Sequence, residues 1–89
     1  MLFEWDETKR QRNLARHKLD LIDADVLFDG RPEVTSTSPR GGELRFVTTG
    51  LIGDKFHTLV WTARGEAIRL ISLRRARDAE ERNYRARHV

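Results

Sequence analysis

Trp61-Thr-Ala-Arg-Gly-Glu-Ala-Ile-Arg-Leu-Ile-Ser-Leu-Arg-Arg-Ala-Arg77 reads as a strand end, a tight turn, a second strand and the start of a helix. Arg64-Gly65 makes the turn, and Ile68, Leu70 and Ile71 give the second strand its apolar content. Arg64, Arg69, Arg74, Arg75 and Arg77 punctuate the stretch. A strand with an internal arginine can hold a guanidinium at a fixed position, which a flexible basic tail cannot do. Strand alternation puts Arg69 on the same face as Ile71 and opposite to Leu70. Arg75 and Arg77 fall to the helix surface, leaving Arg64 at the turn, Arg69 on the strand and Arg74 at its exit.

Upstream, the pattern stays that of strands. Residues 43–51 alternate Leu44, Phe46 and Thr48 against Arg45, Val47 and Thr49. Gly53-Asp54 turns into 55–62, where Phe56, Thr58 and Val60 oppose His57, Leu59 and Trp61. With 67–72, these form an antiparallel meander. Before it, 33–37 is rich in β-branched residues, and Ser-Pro-Arg-Gly-Gly at 38–42 reads as a loop. Leu2–Trp5 alternates as a short edge or second strand.

The helical signals are polar. Asp6 reads as an N-cap with Glu7 in the first turn of a helix reaching about His17. Only Leu14 and Ala15 are apolar there, so this cannot be a central core helix. Lys9, Asn13 and either Arg16 or His17 recur at spacings of three and four on one face. Asp20 caps a second helix, with Asp23 as a short-armed capping box, and Leu21, Ala24, Leu27 and Phe28 trace its apolar stripe. Asp29-Gly-Arg-Pro32 stops it. The last helix is expected from about Arg75 to Arg87, with Asp78–Arg82 and Glu81–Arg85 pairs and a thin apolar side around Tyr84. Trp5 and Trp61 are assigned to the core. The reading is one small α+β domain over residues 1–89: an N-terminal strand, two helices, an antiparallel meander and a C-terminal helix.

Composition narrows the function classes. The 89 residues carry a net charge of +3, 35% charged residues and no cysteine, which rules out disulfides and thiolate metal sites. Residues 64–89 hold eight arginines, no lysine and four acids, whereas residues 1–63 are slightly acidic. An arginine bias suits phosphate or carboxylate recognition; the plainer reading is a solvated helix face. No apolar run approaches the roughly 20 residues that span a bilayer and no signal-peptide pattern opens the chain, so a soluble cytoplasmic protein is expected.

His17, His57 and His88 fall in different elements without ligand-set spacing, so no metal or other cofactor is expected. No glycine-rich phosphate loop precedes a helix, and Ser72 has no evident base. What remains is an arginine-lined sheet face. RNA cleavage by its own 2′-hydroxyl needs an in-line phosphate, a stabilised developing charge and help with proton transfer. Arg45, Arg64, Arg69 and Arg74 can supply the charge, and His17 or His57, which titrate near neutrality, the proton transfer. The competing reading of the same arginines is structural salt bridges to Glu43, Glu66 or Glu81. Tyr84 can stack on a base or anchor its helix.

Phe-Glu-Trp-Asp at 3–6 followed by Lys9, Asn13 and His17 resembles the opening of the BrnT toxins, and Val26-Leu-Phe-Asp29 resembles their helix ending. Glu43-x-Arg45, Gly50, Thr62-x-Arg64, Ile68-Arg-Leu-Ile-Ser72, Arg74-x-Ala76, Glu81 and Tyr84 follow in the same order. Lys18 stands where the family has glycine, and Asp20 where serine or threonine is common. The resemblance implies a RelE-like fold and a translation-inhibiting ribonuclease toxin of a type II toxin–antitoxin pair. It implies RNA as substrate, on or off the ribosome. It also implies a BrnA-type ribbon-helix-helix antitoxin that alone brings the toxin to operator DNA. Carried over residue by residue, it marks Arg64, Arg69, Arg74 and His17 as catalytic and Lys9, Arg45 and Tyr84 as RNA-binding, with Glu43 and Glu81 as orienting acids. The thin faces of the first and last helices suggest that the antitoxin covers one of them. Two rivals stay open: a non-catalytic RNA- or antitoxin-binding module of the same fold, and a regulator binding DNA through its last helix. The acids Asp78, Glu80 and Glu81 weigh against the latter.

Overall fold

Four strands follow one another through turns too short to cross the sheet, and a fifth arrives from the N-terminus. A computed structural model describes residues 1–89. Its elements are β1 (Leu2–Trp5), α1 (Glu7–His17), a 3₁₀ helix (Leu21–Phe28), β2 (Glu33–Arg40), β3 (Glu43–Ile52), β4 (Lys55–Arg64), β5 (Ala67–Arg75) and α2 (Asp78–Arg87). The strands form one mixed sheet in the order β1-β5-β4-β3-β2. The β2–β5 meander is antiparallel, and β1 pairs parallel with β5. The chain is thus α+β. No helix is long and apolar enough to cross a membrane.

Alternation breaks once, in β5. Val60 lies opposite Ser72 and Trp61 opposite Leu70, so Ile71 has no partner on β4. This bulge lets Leu70 and Leu73, three residues apart, both reach the core on one face. Leu59 joins them, and Leu21, Ala24 and Leu27 descend from the 3₁₀ helix. Those three recur at intervals of three, which matches the three residues per turn of a 3₁₀ helix. The expected α-helix is therefore tighter than its stripe suggested. Asp20 caps it through Ile22 N at 3.3 Å, and its carboxylate also takes two hydrogen bonds of 2.8 Å from Arg10. Gly50 allows the close approach: a Cβ there would lie 2.9 Å from Leu27 Cδ2.

α1 closes an edge rather than covering a face. Its bounds match the expectation, with Asp6 accepting from Thr8 N and Lys9 N and Lys18 in the left-handed conformation (φ 58°) at the C-cap. β1 pairs with β5 only as far as Leu70, and beyond that point α1 lies against the strand. Asn13, 5% exposed, replaces the missing strand there. Its Oδ1 accepts from Leu73 N and its Nδ2 donates to Leu19 O, both at 2.9 Å.

α2 packs on the other face, over one end of the sheet. The strand β5 runs on to Arg75, so α2 starts three residues later than expected. Tyr84 is buried edge-on against Phe56 at 4.8 Å. Glu80 takes 2.7 and 2.9 Å hydrogen bonds from Arg74 and others from Thr58 Oγ1 and Arg77 N. Thr58 in turn meets Thr49 at 2.8 Å. Polar bonds thus compensate for the helix's few apolar residues. Glu81 pairs with Arg85 at 3.1 Å, whereas the Asp78–Arg82 pair does not form.

Two further differences matter, in β2 and at Trp5, while Trp61 packs against the core as expected. β2 continues through Ser38 and Pro39 to Arg40, leaving only Gly41-Gly42 as turn. An edge strand tolerates proline because one side of it has no ladder to feed. Trp5 is 37% exposed, its indole donating to Glu7 Oε1, so it is not a core residue. Trp61 is half-buried between Phe46 and Phe28.

Asn13→Ala strands Leu73 N–H and Leu19 C=O, and should cost about 2–4 kcal/mol from the loss of two satisfied backbone groups. Urea unfolding checks this; an unchanged midpoint would remove Asn13 as the edge closure. The Arg74 guanidinium holds the Glu80 carboxyl at about 2, down from 4.5. Because the folded value is depressed, its stabilisation is complete above 4.5 and drains away as the pH falls toward about 2. The stability difference between wild type and Glu80→Gln should therefore shrink across that window. A difference that stays constant down to pH ~2.5 would mean that the carboxylate is not what fastens α2.

Candidate functional site

The register and the bulge together determine which charges share a face. Arg69 lies opposite Thr62 and Arg74 opposite Thr58, and these threonines sit four residues apart on β4. Strict alternation would separate residues 69 and 74; the extra residue puts them on the same side. Arg45 and Glu43 on β3, Arg64 on β4 and Arg40 on β2 have the same parity. Five arginines therefore share the face opposite the 3₁₀ helix, with Glu4 and Glu43 among them.

Their surroundings divide them. Arg64 Nη2 lies 3.3 Å and Arg45 Nε 3.5 Å from the two oxygens of Glu43, so one carboxylate holds both guanidiniums. The Arg45 Nε is buried and makes no hydrogen bond. Arg69 Nη1 stands 3.8 Å from Glu4, its neighbour across the β1–β5 pair. Arg74 is committed to Glu80 beneath α2, which raises the affinity of its guanidinium for its proton. Of the anticipated orienting acids, Glu43 meets its arginines, while Glu81 pairs with Arg85 within α2. Tyr84 is likewise packed into the α2 contact rather than presented to a base.

Two cavities open beside this face and share a floor. One, of about 150 Å³, is walled by Lys9, Arg12, Asn13, Arg16 and His17 of α1. The other, of about 230 Å³, is walled by Ser38 and Arg40 of β2 and by Arg45, Val47 and Val60. Ile71 and Ser72, the residues displaced by the bulge, line both. No acid lines either cavity. The structure thus brings Lys9 and His17 together on one side of the bulge and Arg45 to the other. Arg64 and Arg69 stand beyond the second cavity, and Arg74 lines neither.

His57 is set apart. It is buried with Nδ1 against Lys55 O at 2.9 Å, and burial pushes its pKa down, assisted by the nearby charges of Arg75 and Lys55. That leaves it a structural, uncharged ring on the strand between the core and α2's end of the sheet. The three histidines remain dispersed, and no group of three or more His, Cys, Asp or Glu side chains is placed to hold a metal ion.

Arg12, Arg16, Arg40 and Ser72 were not among the anticipated site residues. Arg12 and Arg16 carried a usable signal, since they fall three and seven residues after Lys9 on the same helical face. Arg40 carried none, because 38–42 read as a loop. Ser72 depended on the bulge, which alternation does not reveal. Elsewhere, a cavity of about 400 Å³ lies on the core face beside Leu27, Phe28 and Trp61, with no cation but Arg31, itself held by Asp29 at 2.7 Å.

Comparison with known proteins identifies the family. Residues 5–80 match the family described as "Ribonuclease toxin, BrnT, of type II toxin-antitoxin system". No curated protein matches the chain. The matched span runs from the end of β1 into the first turn of α2 and includes both cavities and every arginine of the shared face. The chain belongs to the BrnT family of ribonuclease toxins of type II toxin–antitoxin systems.

Proposed function

We propose that this chain is a metal-independent endoribonuclease that halts translation by cleaving RNA on the open, arginine-bearing face of its sheet. The observation that carries the reading is the shared face itself: Arg40, Arg45, Arg64 and Arg69 on one side of the sheet, bordered by two acid-free cavities. In the proposed step the RNA's own 2′-oxygen attacks the adjacent phosphorus and the 5′-oxygen of the next nucleotide leaves. The products are a 2′,3′-cyclic phosphate and a 5′-hydroxyl. No protein nucleophile takes part. Arg45, Arg64 and Arg69 stabilise the charge that develops on the phosphate oxygens, and Glu43 and Glu4 hold them oriented until the phosphate competes for them. His17, beside Lys9 in the first cavity, is the group assigned to proton transfer, while Lys9 binds the backbone. Arg74 and Tyr84 act through the docking of α2 and not on the RNA, and Glu81 serves its own helix through Arg85.

Membership of a type II toxin–antitoxin family implies an antitoxin partner. We take it to be a BrnA-type ribbon-helix-helix protein that covers the polar α1 or the α2 surface and alone carries the toxin to operator DNA. We also read the arrangement of β1, the helices and the meander as RelE-like, and the site of action as the cytoplasm. One observation favours a second reading. Arg64, Arg69 and Arg74 each already have a carboxylate partner, as a face that binds RNA or antitoxin without cleaving it would also show.

Induced expression separates the two. Wild type should arrest growth, and Arg64→Ala or Arg69→Ala should relieve the arrest, each slowing RNA cleavage roughly 100-fold or more through loss of one charge-stabilising donor. Growth that continues under wild type, or arrests equally under both variants, would leave the binding-module reading. Cleavage should persist in EDTA and should stop when the attacking 2′-hydroxyl is replaced by hydrogen. Activity lost to EDTA and restored by added metal would overturn metal independence.

A further inference from the structure

Not all cations of the molecule are engaged. Arg10, Arg31, Arg45, Arg64, Arg69, Arg74 and Arg85 each have a carboxylate partner within 4.0 Å. Arg12, Arg16 and Arg40 have none, and donate no hydrogen bond to any other group of the protein. All three are exposed, and all three line the two cavities that meet at the bulge. An unpaired guanidinium surrenders no internal partner when it binds an anion, so it is a better phosphate ligand than one already neutralised. Arg12 and Arg16 stand on the α1 bank, and Arg40 stands on the β2 bank.

The floor between the banks is not basic. Ile71, Val60 and Val47 make it apolar, with the Ser72 hydroxyl where the cavities join. Cationic banks around an apolar floor suit a backbone that passes with its bases or riboses turned down onto the protein. The cavities, at about 150 and 230 Å³, are too small to seat a duplex but have room for nucleotides of one strand.

We propose that a single RNA strand crosses the sheet over the Ile71–Ser72 bulge, with Arg12 and Arg16 gripping phosphates on one side of the crossing and Arg40 gripping a phosphate on the other. This path rests on the ribonuclease reading for its substrate, and adds to it the residues that position the strand. They are positioning residues: they fix where the strand lies and leave the charge at the cleaved phosphate to Arg45, Arg64 and Arg69.

Fluorescence anisotropy with a labelled uridine dodecamer bearing 2′-O-methyl groups throughout measures this binding without cleavage. Each phosphate contact on a single strand contributes about 0.7 to the slope of log K against log salt. Arg12→Ala/Arg16→Ala should lower the slope by about 1.4, Arg40→Ala by about 0.7, and the triple variant by the sum. Arg87→Ala, which removes an exposed charge at the end of α2, should leave the slope unchanged. Additivity shows that one strand touches both banks. An unchanged slope for either bank, a triple variant no worse than one bank alone, or an equal loss in Arg87→Ala would overturn the path. Slopes that stay at the wild-type value while Arg64→Ala abolishes cleavage would reject the path and keep the enzyme. Bank-dependent slopes in a protein that cleaves nothing would do the reverse.

Discussion

One unpaired residue in β5 governs both sides of the sheet. Because Ile71 has no partner on β4, Leu70 and Leu73 both enter the core while Arg69 and Arg74 both leave on the opposite face. Without the bulge, either a leucine or an arginine would change sides, and burying an unpaired guanidinium costs far more than a leucine's contact returns. The same extra residue brings Ile71 and Ser72 together onto the open face, where both cavities end. Asn13 acts immediately beside it. The bulge lies just past the end of β1, so Leu73 N would otherwise face an open edge, and the Asn13 amide completes that edge from a helix. The core, the edge closure and the charged face are thus consequences of a single register shift.

Much of this was legible in the residues. The strong local signals place the start of α1 at the Asp6 cap and its end near His17, and the Gly53 and Gly65 turns set the meander. Lys9 and Asn13 line one cavity, as their spacing implies, and both Arg16 and His17 join them where the spacing left a choice of one. What remained hidden was non-local. The 3₁₀ helix shares its three-residue spacing with part of an α-helical stripe, and only its close packing over Gly50 distinguishes the two. β2 absorbed Pro39 because it is an edge strand, a property of the sheet order rather than of Ser-Pro-Arg. The bulge has no composition signature. The acids that neutralise the arginines were half visible: Glu43 was anticipated, while Glu4 and Glu80 reach their partners only through the β1–β5 pairing and the docking of α2.

Those ion pairs set a division of labour across the molecule. Arg74–Glu80 fastens a helix whose apolar face could not hold it alone. Glu43 and Glu4 restrain arginines that would repel one another on a bare face, at an energy cost to any phosphate that must displace them. The exposed pairs contribute little to stability, on the order of 1 kcal/mol or less, so their value lies in orientation. Arg12, Arg16 and Arg40, the unpaired arginines that line the two cavities, sit outside this network, along α1 and at the tip of the β2–β3 hairpin. A face built this way couples weak, long-reaching attraction at its banks to fixed donors beyond them, which suits a small protein that must capture a flexible polyanion before acting on it.

The central claim is that RNA meets the sheet on the face opposite the 3₁₀ helix, across the bulge. Amide chemical shifts of the isotope-labelled protein, followed while an uncleavable RNA strand is added, test it most directly. The account predicts that the largest shifts fall at Val47, Val60, Ile71 and Ser72 and along Lys9–His17, while Leu27, Gly30 and Thr35 around the core-face cavity stay put. Shifts concentrated at that cavity or along α2, with Ile71 and Ser72 unmoved, would contradict it.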